Sequence, residues 1–478
     1  MPNDTFLINA RLVIPEIGVV PGGLAIRDGR VAELLPEGAK PRGGEVIDAE
    51  GRHVLPGFID PHVHYGLLPP LPDRMQAESA FAASGGITTL IRYFRRPESY
   101  LDIFPQQVAL GAERHYQDFA HHLTLFNEPQ VREMERYVRE LGVTSFKVYM
   151  NLKGVAGKNV LMDLLVGQDR ELTVADIDFD DGHLYDIFRT AASIQARVRV
   201  NVHAEDAEIV IRETERVKAS GLEGLPAWSA ARPGMSEAIA IQKVAYLSRQ
   251  FGVPVYFPHI GSREAVDAMA EVRAKGTNYY AETGPQYVAL DTSSDCGTLA
   301  KVMPPVRTNE DVARVWSGIA EGVLTNFGSD HIAYTLAEKN PGSIWTTRPA
   351  FGGTGLILPV FLSEGVIAGR LTLRRLAEMG SYHVARAFHL YPRKGTLLPG
   401  ADADFVIVDL ERERTIRAKD LLSASDFSVY EGRTLKGEVV LTAVRGTVVY
   451  RDGKIVGRPG HGGYYRRFPT IERVASIA

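Results

Sequence analysis

The chain carries one cysteine, Cys296, in 478 residues. That excludes an intrachain disulfide framework and a thiolate metal cluster. No apolar run approaches the roughly 18 residues of a spanning helix. The opening residues, MPNDTFLINARLVI, lack a basic stretch followed by an apolar core and a small-residue cleavage site. Clustered basic tracts are missing too, and a formal net charge of −4 leaves no electrostatic footprint for nucleic acid. Internal repeats and low-complexity segments are absent. What remains is an ordinary globular composition, 45% hydrophobic and 23% charged. The expectation is a cytoplasmic protein with neither nucleic acid nor membrane as partner.

The pattern changes twice along the chain. Residues 1–55 read as short strands broken by Gly and Asp turns, as in FLINARLVI and GGLAIRDGRVAELL. The same texture returns over 391–478, in ADFVIVDLERERTI and GEVVLTAVRGTVVYRDGKIVG. Neither flank is long enough to bury a core alone, so the two are expected to pair into one small β-sandwich. Between them, residues 56–390 alternate eight apolar strand candidates with amphipathic stretches. The strands are placed at 57–64, 86–94, 119–126, 143–150, 197–203, 253–259, 277–283 and 323–330. Helical patterns include DRMQAESAFAAS, GHLYDIFRTAASIQA, SEAIAIQKVAYLSRQF and NEDVARVWSGIAEG. This alternation argues for a (β/α)8 TIM barrel, although a doubly wound open sheet gives the same count. The stretch 151–178 is a long loop of the kind that is functional or mobile.

The metal-competent side chains fall at strand ends. His62 and His64 end the first strand, Lys147 lies near the end of the fourth, His203 ends the fifth, His259 the sixth and Asp330 the eighth. A barrel builds its active site at those ends. Residues two apart on a strand face the same side, so His62 and His64 can grip one ion together. Neutral imidazole suits zinc and its neighbours. A carboxylate such as Asp330 beside an activated water can take its proton and pass it to a leaving nitrogen. A helix-capping role for Asp330 is the plainer alternative. Lys147 is the odd member, since an ammonium is repelled by divalent ions. It serves only if its charge is removed or reversed; otherwise it is a barrel lysine paired with a carboxylate. His53, His115, His121, His122, His183, His389 and His461 read as ordinary surface or core residues.

Taken in order, GFIDPHVH, SFKVYM, VHAED, HIGS, AETGPQYVALD and FGSDH resemble the dihydropyrimidinase/hydantoinase branch of the amidohydrolase superfamily. The closing GRPGHGGYYRRF is similar to that branch's last segment. The resemblance implies a TIM barrel with a flanking β-sandwich and two divalent ions, most simply Zn2+. It implies a carbamylated Lys147 that bridges the ions as a carboxylate. His62, His64, Lys147 and Asp330 would hold one ion, and Lys147, His203 and His259 the other. It further implies a bridging hydroxide that opens a cyclic amide, Asp330 as the proton carrier, and a homotetramer.

The substrate-recognising positions depart from the branch. A tyrosine expected after the bridging lysine is Leu152 here, with Tyr149 nearby as a substitute. A Ser-Pro-Pro segment reads Met303-Pro304-Pro305, and a Pro-Asn-Gly segment reads Pro349-Ala350-Phe351-Gly352. Polar ring contacts thus become Leu152, Met303 and Phe351, which favours a substituted hydantoin, dihydropyrimidine, imide or lactam over the plain rings. The run Arg92-Tyr93-Phe94-Arg95-Arg96 ends the second strand. Arg92 is a candidate anion contact there, against a salt-bridged loop. An allantoinase- or dihydroorotase-like hydrolase and a non-catalytic scaffold of the same fold are the alternatives.

Overall fold

The computed structural model describes residues 5–41, 43–167, 171–194 and 198–467. Five strands come from the N-terminal flank: β1 (Thr5–Ile14), β2 (Gly18–Arg27), β3 (Arg30–Leu35), β4 (Glu45–Asp48) and β5 (His53–Pro56). The barrel follows with β6 (Phe58–Val63), β7 (Ile87–Phe94), β8 (Asp118–Thr124) and β9 (Ser145–Tyr149). A hairpin, β10 (Val160–Met162) and β11 (Thr173–Ala175), interrupts it. The barrel resumes with β12 (Arg199–His203), β13 (Val255–Phe257), β14 (Tyr279–Thr283) and β15 (Asn326–Phe327). The C-terminal flank adds β16 (Phe405–Thr415), β17 (Thr434–Val444), β18 (Thr447–Arg451) and β19 (Lys454–Ile455).

The eight barrel strands run parallel in the order of the sequence. Nearly every residue in them is buried, which explains their continuous apolar runs: helices cover one face and the barrel core the other. Helices Leu71–Ser84, Asp181–Ser193, Gly234–Phe251 and Asn309–Ala320 occupy the expected amphipathic stretches. Arg197, expected to open the fifth strand, and the end of the helical pattern at 195–196 lie outside the described residues, as does Phe468 of the tail motif. The first and last barrel strands meet at a bridge between Val63 and His331, where His64 N–H donates to His331 O at 2.8 Å. The fold is therefore a (β/α)8 barrel rather than an open sheet.

The two flanks form one continuous nine-stranded sheet, with β16 paired to β5. It is not split into two sheets. Register shifts within the β1–β2 and β16–β17 pairs mark bulges, which bend strands. The sheet curls until Gly29, after β2, sits against Arg445, after β17. Leu7, Leu24, Phe405, Ile407 and Leu441 share its own apolar core. The C-terminal tail then returns to the barrel: Tyr464 bridges to Phe119, and the fully buried Arg467 donates to Ser145 Oγ at 2.7 Å.

The segment 151–178 is structured where described. Its hairpin, with Leu161 opposite Val174, stands over the C-terminal ends of the barrel strands and lines the cavity there.

Candidate metal centre and substrate cavity

Strand β6 delivers the first two histidines. Pro61 has no N–H for the ladder, and the β6–β7 register shifts between Asp60 and Val63. Asp60 repairs the break. Its carboxylate accepts from His62 N–H at 3.0 Å, from Ser329 N–H at 3.2 Å and from Ser329 Oγ at 2.5 Å. One buried acid thus locks the His62 strand to the segment that carries Asp330.

The three side chains converge. Asp330 Oδ1 lies 3.1 Å from His62 Nε2 and 3.3 Å from His64 Nε2. Potential ligand atoms of these three residues all fall within 4.8 Å of one another. His203 and His259 pack beside them, with ring centroids 4.5 Å apart, and His259 lies 5.4 Å from His62. Lys147 completes the group. It is fully buried, its Nζ has no hydrogen-bond partner among the described residues, and it lies 4.6 Å from the Tyr93 ring. The alternative of a lysine paired with a carboxylate is therefore not what the structure holds.

Backbone conformation is bent to serve this site. His259, Asp330 and Ala350 all have positive φ, at 48°, 55° and 79°, a region that costs non-glycine residues energy. All three line the cavity.

The electrostatics follow from burial. Burial pushes the Lys147 amine down to about 7, and His64 down to about 3. Burial also disfavours charge on His62, but Glu282 and Asp330 outweigh it and hold the ring up at about 9. Asp330 stays well below the usual carboxylate range: burial opposes its charge, and His62 and His64 overcome that.

A surrounding layer fixes the ring orientations. Glu282 accepts from His62 Nδ1 at 2.8 Å, from Tyr256 OH at 2.8 Å and from His259 N–H at 3.2 Å. Gly328 makes room for it, because a Cβ there would meet the Glu282 carboxyl carbon at 2.4 Å. Glu205 lies 2.5 Å from His203 Nε2 and is clamped by Arg232 at 2.6 and 2.9 Å. Asp60, Glu282 and Glu205 escape sequence reasoning, since their role shows only once distant strands meet. The Glu205 of VHAED, two residues beyond His203, is the one signal present in the letters.

The donor set, four imidazoles with a carboxylate and a buried amine, fits a divalent metal centre. A cavity of about 460 Å³ opens from it, walled by Tyr149, Leu152, Val160, Leu161, Val174, Met303, Ile332 and Tyr334. Tyr149, Leu152 and Met303 therefore line the cavity, as the sequence suggests. Phe351 and Arg92 do not. Phe351 is buried in the core while its neighbours Pro349 and Ala350 face the cavity. Arg92 is fully buried and donates to Asp163, Nε at 3.1 Å, with Nη2 closer still. Gly66 permits this, since a Cβ there would coincide with the Arg92 guanidinium. The salt-bridged alternative holds for Arg92.

The amidohydrolase family model matches residues 132–449, and a second model of the same description matches 45–92. The chain belongs to the amidohydrolase family. Among curated relatives, the L-hydantoinase of Paenarthrobacter aurescens is 31% identical, covering 97% of this chain and 98% of the relative. An allantoinase of Desulfitobacterium hafniense is 30% identical over 95% and 97%. The solved L-hydantoinase of Arthrobacter aurescens superposes with a TM-score of 0.87 at 30% identity, covering 97% and 99% of the two chains. Membership of that family implies a divalent metal centre, and His62, His64 and Asp330 form a cluster able to hold an ion. No helix among the described residues is long and apolar enough to cross a membrane.

Proposed function

We propose that this amidohydrolase opens a substituted cyclic amide, a hydantoin, dihydropyrimidine, imide or lactam, with water. One observation carries the reading: the His62–His64–Asp330 cluster stands beside His203, His259 and the partnerless buried Lys147 at the floor of a largely apolar cavity. We propose two divalent ions, zinc first, with His62, His64 and Asp330 on one and His203 and His259 on the other. Lys147, carbamylated by CO2, would lie between them; burial disfavours its protonated form, and the neutral amine has the lone pair that reacts with CO2. When bound, such a pair supplies charge stabilisation at the scissile carbonyl and lowers the pKa of the attacking water.

The chain's own groups do the rest. Asp330 is held ionised by two imidazoles and can accept the water's proton. The water oxygen bonds to the carbonyl carbon, the ring C–N bond breaks, and Asp330 passes the proton to the departing nitrogen. Leu152, Met303 and Ile332 exclude bulk water and receive the ring substituent. The allantoinase relative supports a second reading on the same centre. We also propose a cytoplasmic homotetramer, in keeping with the lone unpaired Cys296.

The test is to load the protein with zinc and bicarbonate, count metal, weigh the intact chain, and assay a panel from dihydrouracil, hydantoin and allantoin to aryl-substituted hydantoins. Two metals per chain, a mass heavier by a lysine-bound CO2 and turnover of a substituted ring are expected. Fast opening of allantoin alone would select the second reading, and a metal-free, inert chain would select the scaffold.

A further inference from the structure

Three arginines close the end of β7, and their side chains go separate ways. Arg92 turns inward to Asp163. Arg96 pairs with Glu98. Arg95 lines the cavity, where its Nε is buried without a hydrogen-bond partner among the described residues. Asp163, the acid beside it, is already committed. One oxygen takes Arg92 and the other takes the Arg95 backbone N–H at 2.6 Å, while Asp163 N–H donates to Arg95 O at 3.0 Å. The Arg95 main chain is thus clamped from both sides, and its guanidinium lies on the cavity wall 5.9 Å from the centre of the Tyr149 ring, with no carboxylate against it among the described residues.

Arg348 reaches the same cavity from the segment after β15. Its backbone N–H is fixed on Lys339 O at 3.0 Å, and its guanidinium carbon lies 6.0 Å from the Tyr334 ring. Tyr334, beneath Arg348, lines the same cavity as Arg95. Among the described residues, neither guanidinium ion-pairs with a carboxylate. Among the described residues Asp330 is the only carboxylate on the cavity wall, and His62 and His64 hold it. The third cation, Lys158, pairs with Asp176 at 2.8 Å.

Two guanidiniums in a cavity that is otherwise largely apolar lack the anion that such groups bind in bidentate geometry. We propose that the substrate is a cyclic amide bearing its own carboxylate, and that Arg95 and Arg348 hold that carboxylate beside Tyr334. The inference rests on the cyclic-amide reading above. It makes Arg95 and Arg348 specificity residues, with the ring's substituent lying along Leu152 and Ile332.

The experiment compares hydantoin-5-acetate with hydantoin-5-acetamide, an almost equal-sized neutral ring, on the zinc-loaded enzyme. The native ratio of kcat/KM, acid over amide, is expected to exceed about tenfold. Arg95→Ala and Arg348→Ala are each expected to lower that ratio about tenfold. A native ratio near one, or a ratio unmoved by both substitutions, overturns the proposal. Dissociation constants on zinc-loaded Asp330→Asn separate the two claims. If that variant prefers the acid while the native chain opens neither ring, the hydrolytic reading falls and the anion site stands. If neutral rings are opened with no preference for the acid, the anion site falls and the hydrolytic reading stands.

Discussion

Glu282, on the seventh barrel strand, accepts a hydrogen bond from Nδ1 of His62, on the first, at 2.8 Å. That contact decides which imidazole nitrogen is left for Asp330 and for metal. Carboxylate partners of ligating histidines typically contribute 10–100-fold in metal affinity. Glu282→Gln is therefore expected to weaken zinc retention by about that factor, measured by dialysis against buffered chelator. Excess zinc should restore much of the lost turnover. Unchanged retention would remove Glu282 from this role.

Asp163→Asn leaves the Arg92 guanidinium buried without its counter-charge. Removing one partner of a buried pair costs about 3–5 kcal/mol. Denaturant unfolding should show a loss of that order. Replacing both residues with apolar ones of similar volume should recover most of it. A loss below about 1 kcal/mol would mean that water reaches the pair.

Leu152→Ala removes apolar wall at the cavity. A methylene or two of contact discriminates by about 1–3 kcal/mol. The expected result is a fall of about tenfold or more in kcat/KM for an aryl-substituted hydantoin, with a much smaller change for unsubstituted hydantoin. Equal losses for both rings would show that Leu152 supports the fold rather than the substituent.

Lys301 supplies a pH dependence away from the metal centre. Burial, then Arg232 and Lys218, push its amine down to about 8, and Nζ donates to Thr347 O at 2.6 Å. The folded pKa lies below the unfolded one, so the unfolded chain holds the proton more tightly between pH 8 and about 10.4. Stability contributed by this group therefore rises with pH across that window. Native protein should gain on the order of 1–3 kcal/mol relative to Lys301→Met between pH 7.5 and 10. Parallel pH profiles for the two proteins would contradict the assignment.

The barrel was legible because strands buried on both faces write themselves as unbroken apolar runs, such as ITTLIRYF over β7. Residues bound to strand ends were legible for the same reason: the fold fixes where a strand stops, and so where His203 and Asp330 emerge. Loop positions were harder. Pro349, Ala350 and Phe351 are consecutive, yet Ala350 takes φ 79° and Phe351 turns into the core. No periodicity governs such a segment, so its facing residue cannot be counted out. The arginines of β7 show the same limit from another side. Which of Arg92 and Arg95 meets the cavity depends on Asp163, about seventy positions later, and on the side chain missing from Gly66. The flanks pair as expected, but as one curled sheet, because β16 extends β5 directly instead of stacking on it.

The barrel's closure has a consequence for folding. The last strand, β15, is two residues long, and its join to β6 runs through His62, Val63, His64, Ser329 and His331. Two of these residues, His62 and His64, are groups proposed to grip metal, and a third, Asp330, lies between Ser329 and His331. An ion there would act as a clasp across the weakest lap of the cylinder, and anything that binds only the closed form stabilises it by mass action. Hydrogen exchange at residues 58–64 and 326–331 should then slow on zinc loading more than exchange at β8 or β9. Metal supply would in that case set how long each molecule stays shut as well as how fast it works.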